Sequence, residues 1–368
     1  MEPTARWECR QRDKALAAMA NIPGYSEMPR RYPWTVWPAA KLLELRICDL
    51  DLQIKKTWLE DCLDQLRDEL DARDIPLHPT VWLSDEWFAP STTLGFAIPF
   101  YLAHPRLMRL ERSQILEVEG GTIQECLRIM RHEMGHVLQH AYALNRRRRW
   151  QELFGKSSTR YPTHYRPNPT SKKYVQHLRL WYGQAHPDED FAETFAVWLR
   201  PRSNWRVRYA GWPALKKLEY MDELMAEIGS EKPVIRSRAW VDPIRTRRVT
   251  LGEYYEEKRS HYSVRYPVIY DRDLRRLFTD ASNAKRSPTA AAFLRQHRRW
   301  IRQMVSRWTG EYELTLDMVL SEMIGRCREL RLRAVGNRRQ LRMDFAVLLT
   351  VHTMHALYSQ TRRAWFAL

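Results

Sequence analysis

The chain has 368 residues, 44% of them hydrophobic, with 15 tryptophans and a formal net charge of +17. That length supports two domains with a sizeable core, and that composition excludes a disordered polar chain. The five cysteines (Cys9, Cys48, Cys62, Cys126, Cys327) are widely spaced and form no Cys-x-x-Cys pair, which argues against a disulfide framework and against a cysteine zinc site.

Residues 1–44 begin charged and lack an apolar signal core; their scattered prolines and aromatics read as an N-terminal arm with a short helix. No apolar run approaches the ~18 residues of a membrane span, so the expectation is a soluble, cytoplasmic protein. Cys48, Leu50, Leu52 and Ile54 alternate with Asp49, Asp51 and Gln53, the pattern of a half-exposed strand. Thr57 and Glu60 then make a capping box. Leu59, Cys62, Leu63, Leu66 and Leu70 lay one apolar stripe along a helix that ends before Pro76. Thr80 to Leu83 reads as a strand, and Leu94 to Leu102 as another with Pro99 in its middle. Proline cannot donate to a sheet ladder, so this strand is expected at an edge. Ile115 to Val118 is expected to be a short last strand before the next helix.

Thr122 and Glu125 form a second capping box, and apolar residues recur at helical spacing from Ile123 to Leu144, with Asn145 as a stop. Inside this helix lies His132-Glu133-Met134-Gly135-His136. Residues four apart share a helical face, so His132 and His136 can reach one metal ion, while Glu133 sits close enough to handle a proton of the attacking water. Zinc suits such imidazole donors and leaves a position open for chemistry. His140 continues the spacing, but three such histidines span about 12 Å of straight helix and cannot converge on one ion. A further ligand has to come from elsewhere in the chain.

Arg146 to Arg149 read as a solvated run paired with the helix dipole. Residues 155–173, rich in Pro, Ser, Thr and basic residues, read as a long loop beside the cleft, and Tyr174 to Tyr182 as helical. His164, His177 and His186 fall hereabouts, each more readily structural than functional. Next comes His186-Pro187-Asp188-Glu189-Asp190-Phe191-Ala192-Glu193-Thr194-Phe195, a helix start with its acids at the positive end. Glu189 and Glu193 share a face, so one can bind the metal while the other holds a ligand histidine from behind; Asp190 is a third candidate.

His-Glu-x-x-His followed by this acidic segment resembles the glutamate zincins, in which a downstream helix supplies a glutamate ligand. The Glu-x-Phe-Ala-Glu core, with Tyr182 seven residues before it, is similar to the catalytic domain of anthrax lethal factor. More widely, the chain resembles bacterial zinc-binding metallopeptidases that carry the His-Pro-Asp-Glu-Asp-Phe-Ala-Glu-Thr-Phe segment, over roughly residues 80 to 225. The resemblance implies one zinc ion on His132, His136 and Glu189, with Glu193 behind a histidine, Glu133 as general base and Tyr182 at the oxyanion. It also implies that an edge strand, here Phe96, Ala97 and Ile98, pairs with an extended peptide. The metzincin pattern fails, because Gln139 and Tyr142 stand at its Gly and His positions.

Residues 231–288, with Pro233, Pro243, Pro267 and Pro288 and many arginines, read as a basic connecting arm. Beyond Ser287-Pro288, an N-cap and first-turn pair, three helices are expected near 289–308, 313–333 and 339–360. His352 and His355 share a face of the last, amid apolar residues that make a core role the better reading. The expected fold is α+β: a zincin-like domain at 45–230, with a small mixed sheet, an active-site helix and a helical lower lobe, then a mainly helical domain at 289–368. Residues 1–230 carry +3 and residues 231–368 carry +14, so the basic excess belongs to the C-terminal part. The leading reading is a zinc metallopeptidase acting on a peptide or protein. The rival is a binder of nucleic acid or an acidic partner whose zinc site is only structural.

Overall fold

Thr57 is the N-cap of the first long helix, α1 (Trp58–Asp71), accepting the backbone N–H of Leu59, while Glu60 reaches back to the N–H of Lys56, one residue before the cap. A computed structural model describes residues 32–162, 165, 167–229, 231–261, 270–280, 284 and 287–358. Residues 1–31 of the expected N-terminal arm, Cys9, His164 and residues 359–368 lie outside them. The chain packs as two units, one drawn from residues up to 113, 118–161 and 167–254, the other from 114–117, 162–166 and 255 onward.

In the first unit, β1 (Thr80–Ser84) and β2 (Gly95–Pro99) pair in parallel, in register from Thr80 with Gly95 to Ser84 with Pro99. This pair is the whole sheet among the described residues, not the mixed sheet expected. β2 ends at Pro99 and the chain turns into a 3-10 segment, Phe100–Ala103, where an extended run to Leu102 was expected. The edge of β2 away from β1 is filled at Ala97, whose N–H donates to the Phe88 carbonyl at 2.8 Å.

Two further expected strands are absent. Ile47–Leu50 is a 3-10 turn that buries Ile47 and Leu50, three apart, and Asp51 follows in the left-handed region (φ 50°), which ends any extended run. Ile115 instead closes α2 (Pro105–Ile115), and Leu116 turns the chain at φ 71°.

Thr122 accepts the N–H of Glu125 and opens α3 (Ile123–Ala141), as its capping box predicts. The helix stops earlier than Asn145, because Ala143 takes a left-handed conformation (φ 48°). The arginine run that follows does not serve the α3 dipole. Arg148 begins α4 (Arg148–Phe154) and pairs with Glu152, while Arg147 and Arg149 reach Glu227 and Glu223 of α6 (Ala214–Ile228). Residues 174–178 are not helical; a 3-10 stretch, Arg179–Gln184, follows, with Leu180 and Trp181 both left-handed (φ 59° and 54°). α5 (Pro187–Leu199) is buried along nearly its whole length.

Residues 231–288 are more than an arm, since they hold α7 (Leu251–His261) and α8 (Asp271–Leu277). In the second unit α9 (Ala290–Thr309), α10 (Glu313–Glu329) and α11 (Arg338–Tyr358) appear where the apolar periods place them. Thr289, not Ser287, caps α9 by accepting the N–H of Ala292. These helices enclose Phe293, Leu294, Ile301, Leu320, Met323 and Phe345. His352 sits 3.1 Å from Asp273 and edge-on to the Tyr270 ring, which is packing rather than metal chemistry. No helix among the described residues is long and apolar enough to cross a membrane.

Candidate metal centre

The site is made where α3 crosses α5, and the crossing is close because of what stands at it. A Cβ added to Gly135, in the middle of the histidine motif, would lie 2.8 Å from the Ala192 Cα and 3.2 Å from its carbonyl oxygen. Small residues on both helices let the backbones approach until side chains one turn away can meet. The start of α5 is anchored independently. His186 is its N-cap: Nδ1 accepts the N–H of Asp188 at 3.2 Å, and Nε2 lies 2.7 Å from the Thr159 carbonyl. A carbonyl only accepts, so Nε2 carries the proton and the tautomer is fixed. Asp188 accepts from Gln139 of α3 at 2.7 Å and from Ser157 at 2.9 Å, tying helix, loop and α5 together.

From α3, His132 and His136 turn their Nε2 atoms toward each other at 3.1 Å. From α5, Glu189 brings Oε2 to 3.0 Å from the first and 3.2 Å from the second. Tetrahedral zinc with ligand bonds near 2.0–2.1 Å separates its donors by about 3.3 Å, so this triangle has the right size for one such ion. The remaining nitrogen of His132, Nδ1, lies 3.0 Å from Glu193 Oε1, which leaves Nε2 as the free donor. Glu193 is itself held, its Oε2 accepting the N–H of Leu178 at 2.8 Å. Asp190 faces away and pairs with Lys217, whose ammonium also donates to the Lys173 carbonyl. Of the three carboxylates left open by the sequence, only Glu189 shares a ligand-sized cluster with both histidines.

The electrostatics favour a cation here. Burial opposes a charged His132 ring, but hydrogen bonds and charge from Glu189 and Glu193 outweigh it and raise its pKa to about 10. Burial also opposes an ionised Glu189, yet His136 and His132 hold it well below the usual carboxylate range. Two carboxylates converging on one buried ring are an excess of negative charge that a divalent ion would neutralise. The donor set, two imidazoles and one carboxylate with an orienting partner behind, fits zinc.

Glu133 is buried beside this cluster, and burial raises its pKa against the opposing pull of His132 and His136. The Tyr182 ring lies 5.6 Å from the His132 ring, placed by the left-handed pair that precedes it. His140 stacks on His136 with ring centroids 6.4 Å apart and stays outside the cluster. His177 hydrogen-bonds the Arg128 carbonyl at 2.9 Å. Phe96, Ala97 and Ile98 are fully buried in β2. One residue at the site had no sequence signal. Tyr161, in the loop before α5, donates its hydroxyl to Glu189 Oε1 at 3.0 Å and stacks on His186. Burial and the Glu189 and Asp188 carboxylates push its phenol pKa far up, so it stays a donor.

A protein-family model described as "Putative zinc-binding metallo-peptidase" matches residues 120–210, the span from the start of α3 to just past α5. No curated protein matches the chain, and no solved structure does. These comparisons give no support to the expected similarity to lethal factor.

Proposed function

We propose that the chain is a zinc-dependent peptidase, with His132, His136 and Glu189 as ligands of one ion and Glu133 as general base. The observation that carries this reading is the convergence of the two Nε2 atoms and Glu189 Oε2 within 3.0–3.2 Å, with Glu133 buried alongside. The family description for residues 120–210 supports it. Bound zinc supplies a Lewis acid that acidifies water and polarises a carbonyl. Glu133 takes the proton of the attacking water and passes it to the leaving amine; its burial raises its proton affinity, as that relay requires. Glu193 keeps the His132 ring oriented through Nδ1. Tyr182, beside that ring, is the hydroxyl we assign to the developing oxyanion.

A peptide pairing along Phe96, Ala97 and Ile98 would have to take the place of Phe88 at Ala97, so we assign those residues to substrate only with that displacement. The described cysteines are all free thiols, which fits the cytoplasmic location we assign.

Hydrolysis of a diverse peptide library by zinc-loaded protein tests the reading, with Glu133→Gln as control. Cleavage that disappears in the variant, with zinc retained, is the expected result. Equal cleavage by both would remove Glu133 from its role, and absence of cleavage by either would count against a peptidase.

A second reading concerns the basic C-terminal part. Arg295 and Arg299 are both exposed on α9 and stand four residues apart, so they share one face of the helix. We propose that this pair meets nucleic acid or another polyanion.

A further inference from the structure

The Glu189 carboxylate has two oxygens, and the structure uses them differently. Oε2 faces the two histidines, while Oε1 accepts the Tyr161 hydroxyl at 3.0 Å. Tyr161 is not a loose surface phenol, although it is 43% exposed. Its ring lies parallel to that of His186, with centroids 3.6 Å and planes 14° apart. His186 is in turn fixed at both nitrogens, by the Asp188 N–H and the Thr159 carbonyl. The tyrosine thus stands on the N-cap of the very helix that presents Glu189.

We propose that Tyr161 is a positioning residue for the metal: by occupying Oε1 it locks the Glu189 side chain so that Oε2 alone is presented to the ion. The inference rests on the zinc-site reading given above. A hydrogen bond at one oxygen opposes rotation of the carboxylate, whether towards chelation through both oxygens or away from the ion. Outer partners of this kind typically change metal affinity by about 10- to 100-fold when removed. The phenol also sits where the 155–161 loop meets α5, so that loop reports to the metal through one hydrogen bond.

Tyr161→Phe tests this, because it deletes the hydroxyl and keeps the ring on His186. Zinc affinity of the full-length chain is measured by competition with a chromophoric chelator, alongside the melting temperature in EDTA. The expected result is zinc bound about 10- to 100-fold more weakly, with the metal-free melting temperature unchanged. A merely structural role would lower the melting temperature and leave affinity alone, which would overturn the proposal. So would affinity within twofold of the parent. Tyr161→Leu, which also removes the stack, should lose at least as much affinity; retention would be equally fatal. If the parent chain itself takes up no zinc, the metal-site reading fails first, and that failure is seen without any variant.

Discussion

At the scale of single residues, the two glutamates of α5 have separable jobs. Glu189 Oε2 lies within 3.2 Å of the Nε2 atoms of His132 and His136, whereas Glu193 meets His132 on its other ring nitrogen. Glu189→Ala should therefore abolish stoichiometric zinc, while Glu193→Gln should keep the ion and weaken it about 10- to 100-fold. Zinc content after gel filtration, followed by chelator competition, distinguishes them; zinc that survives Glu189→Ala but not Glu193→Ala would reverse the assignment. Much of this was readable beforehand. The two histidines sit four apart on one helix, and Glu189 and Glu193 four apart on another, so local periodicity alone put each pair on a face. What periodicity leaves open is which carboxylate points at the histidines. Lys217 helps settle that by drawing Asp190 into a buried pair, and Lys217 stands in the first turn of α6, 27 residues further along the chain. Tyr161 was unreadable for a similar reason. It lies in an irregular loop, and its link to Glu189 depends on a chain path that no repeat encodes.

At the scale of elements, the helices with caps were legible, whereas of four expected strands two form, Thr80–Ser84 and Gly95–Pro99, the second shorter than expected. Thr57 and Thr122 both cap the helices they were expected to start, because an N-cap is a hydrogen bond between residues two or three apart in the chain. The alternation at Cys48–Ile54 misled, since residues three apart at Ile47 and Leu50 suffice to bury a 3-10 turn. Gly135 carries a meaning that only the α3–α5 crossing reveals. In an exposed helix Gly→Ala stabilises by roughly 1 kcal/mol. Here the added methyl would stand 2.8 Å from the Ala192 Cα, backbone that cannot step aside cheaply. Gly135→Ala should therefore destabilise by about 1–3 kcal/mol and weaken zinc binding as α5 is pushed outward. Urea denaturation of the metal-free chain reads the sign: a gain in stability would mean that the helices tolerate the methyl and the close approach is not required.

At the scale of the whole molecule, the charge of +17 is concentrated beyond residue 230, and not all of it faces solvent as free charge. Arg298 and Arg302 are spent on Asp317 and Glu313 between α9 and α10, and Arg326 on Asp271 and Glu329. Such pairs set each arginine's charge against a carboxylate and leave little field outside. The exposed pair Arg295 and Arg299 is different, because neighbouring phosphates could neutralise both at once. Each phosphate contact on duplex DNA contributes about 0.9 to the slope of log affinity against log salt. Replacing both arginines by glutamine in the full-length chain should therefore lower that slope by about two units and leave zinc affinity untouched. Fluorescence anisotropy of a labelled duplex across a salt series measures it. A slope unchanged by the double substitution would move the contact off this face of α9. Absence of binding even at low salt would mean that the basic excess serves repulsion between copies and solubility, with no polyanion as its partner.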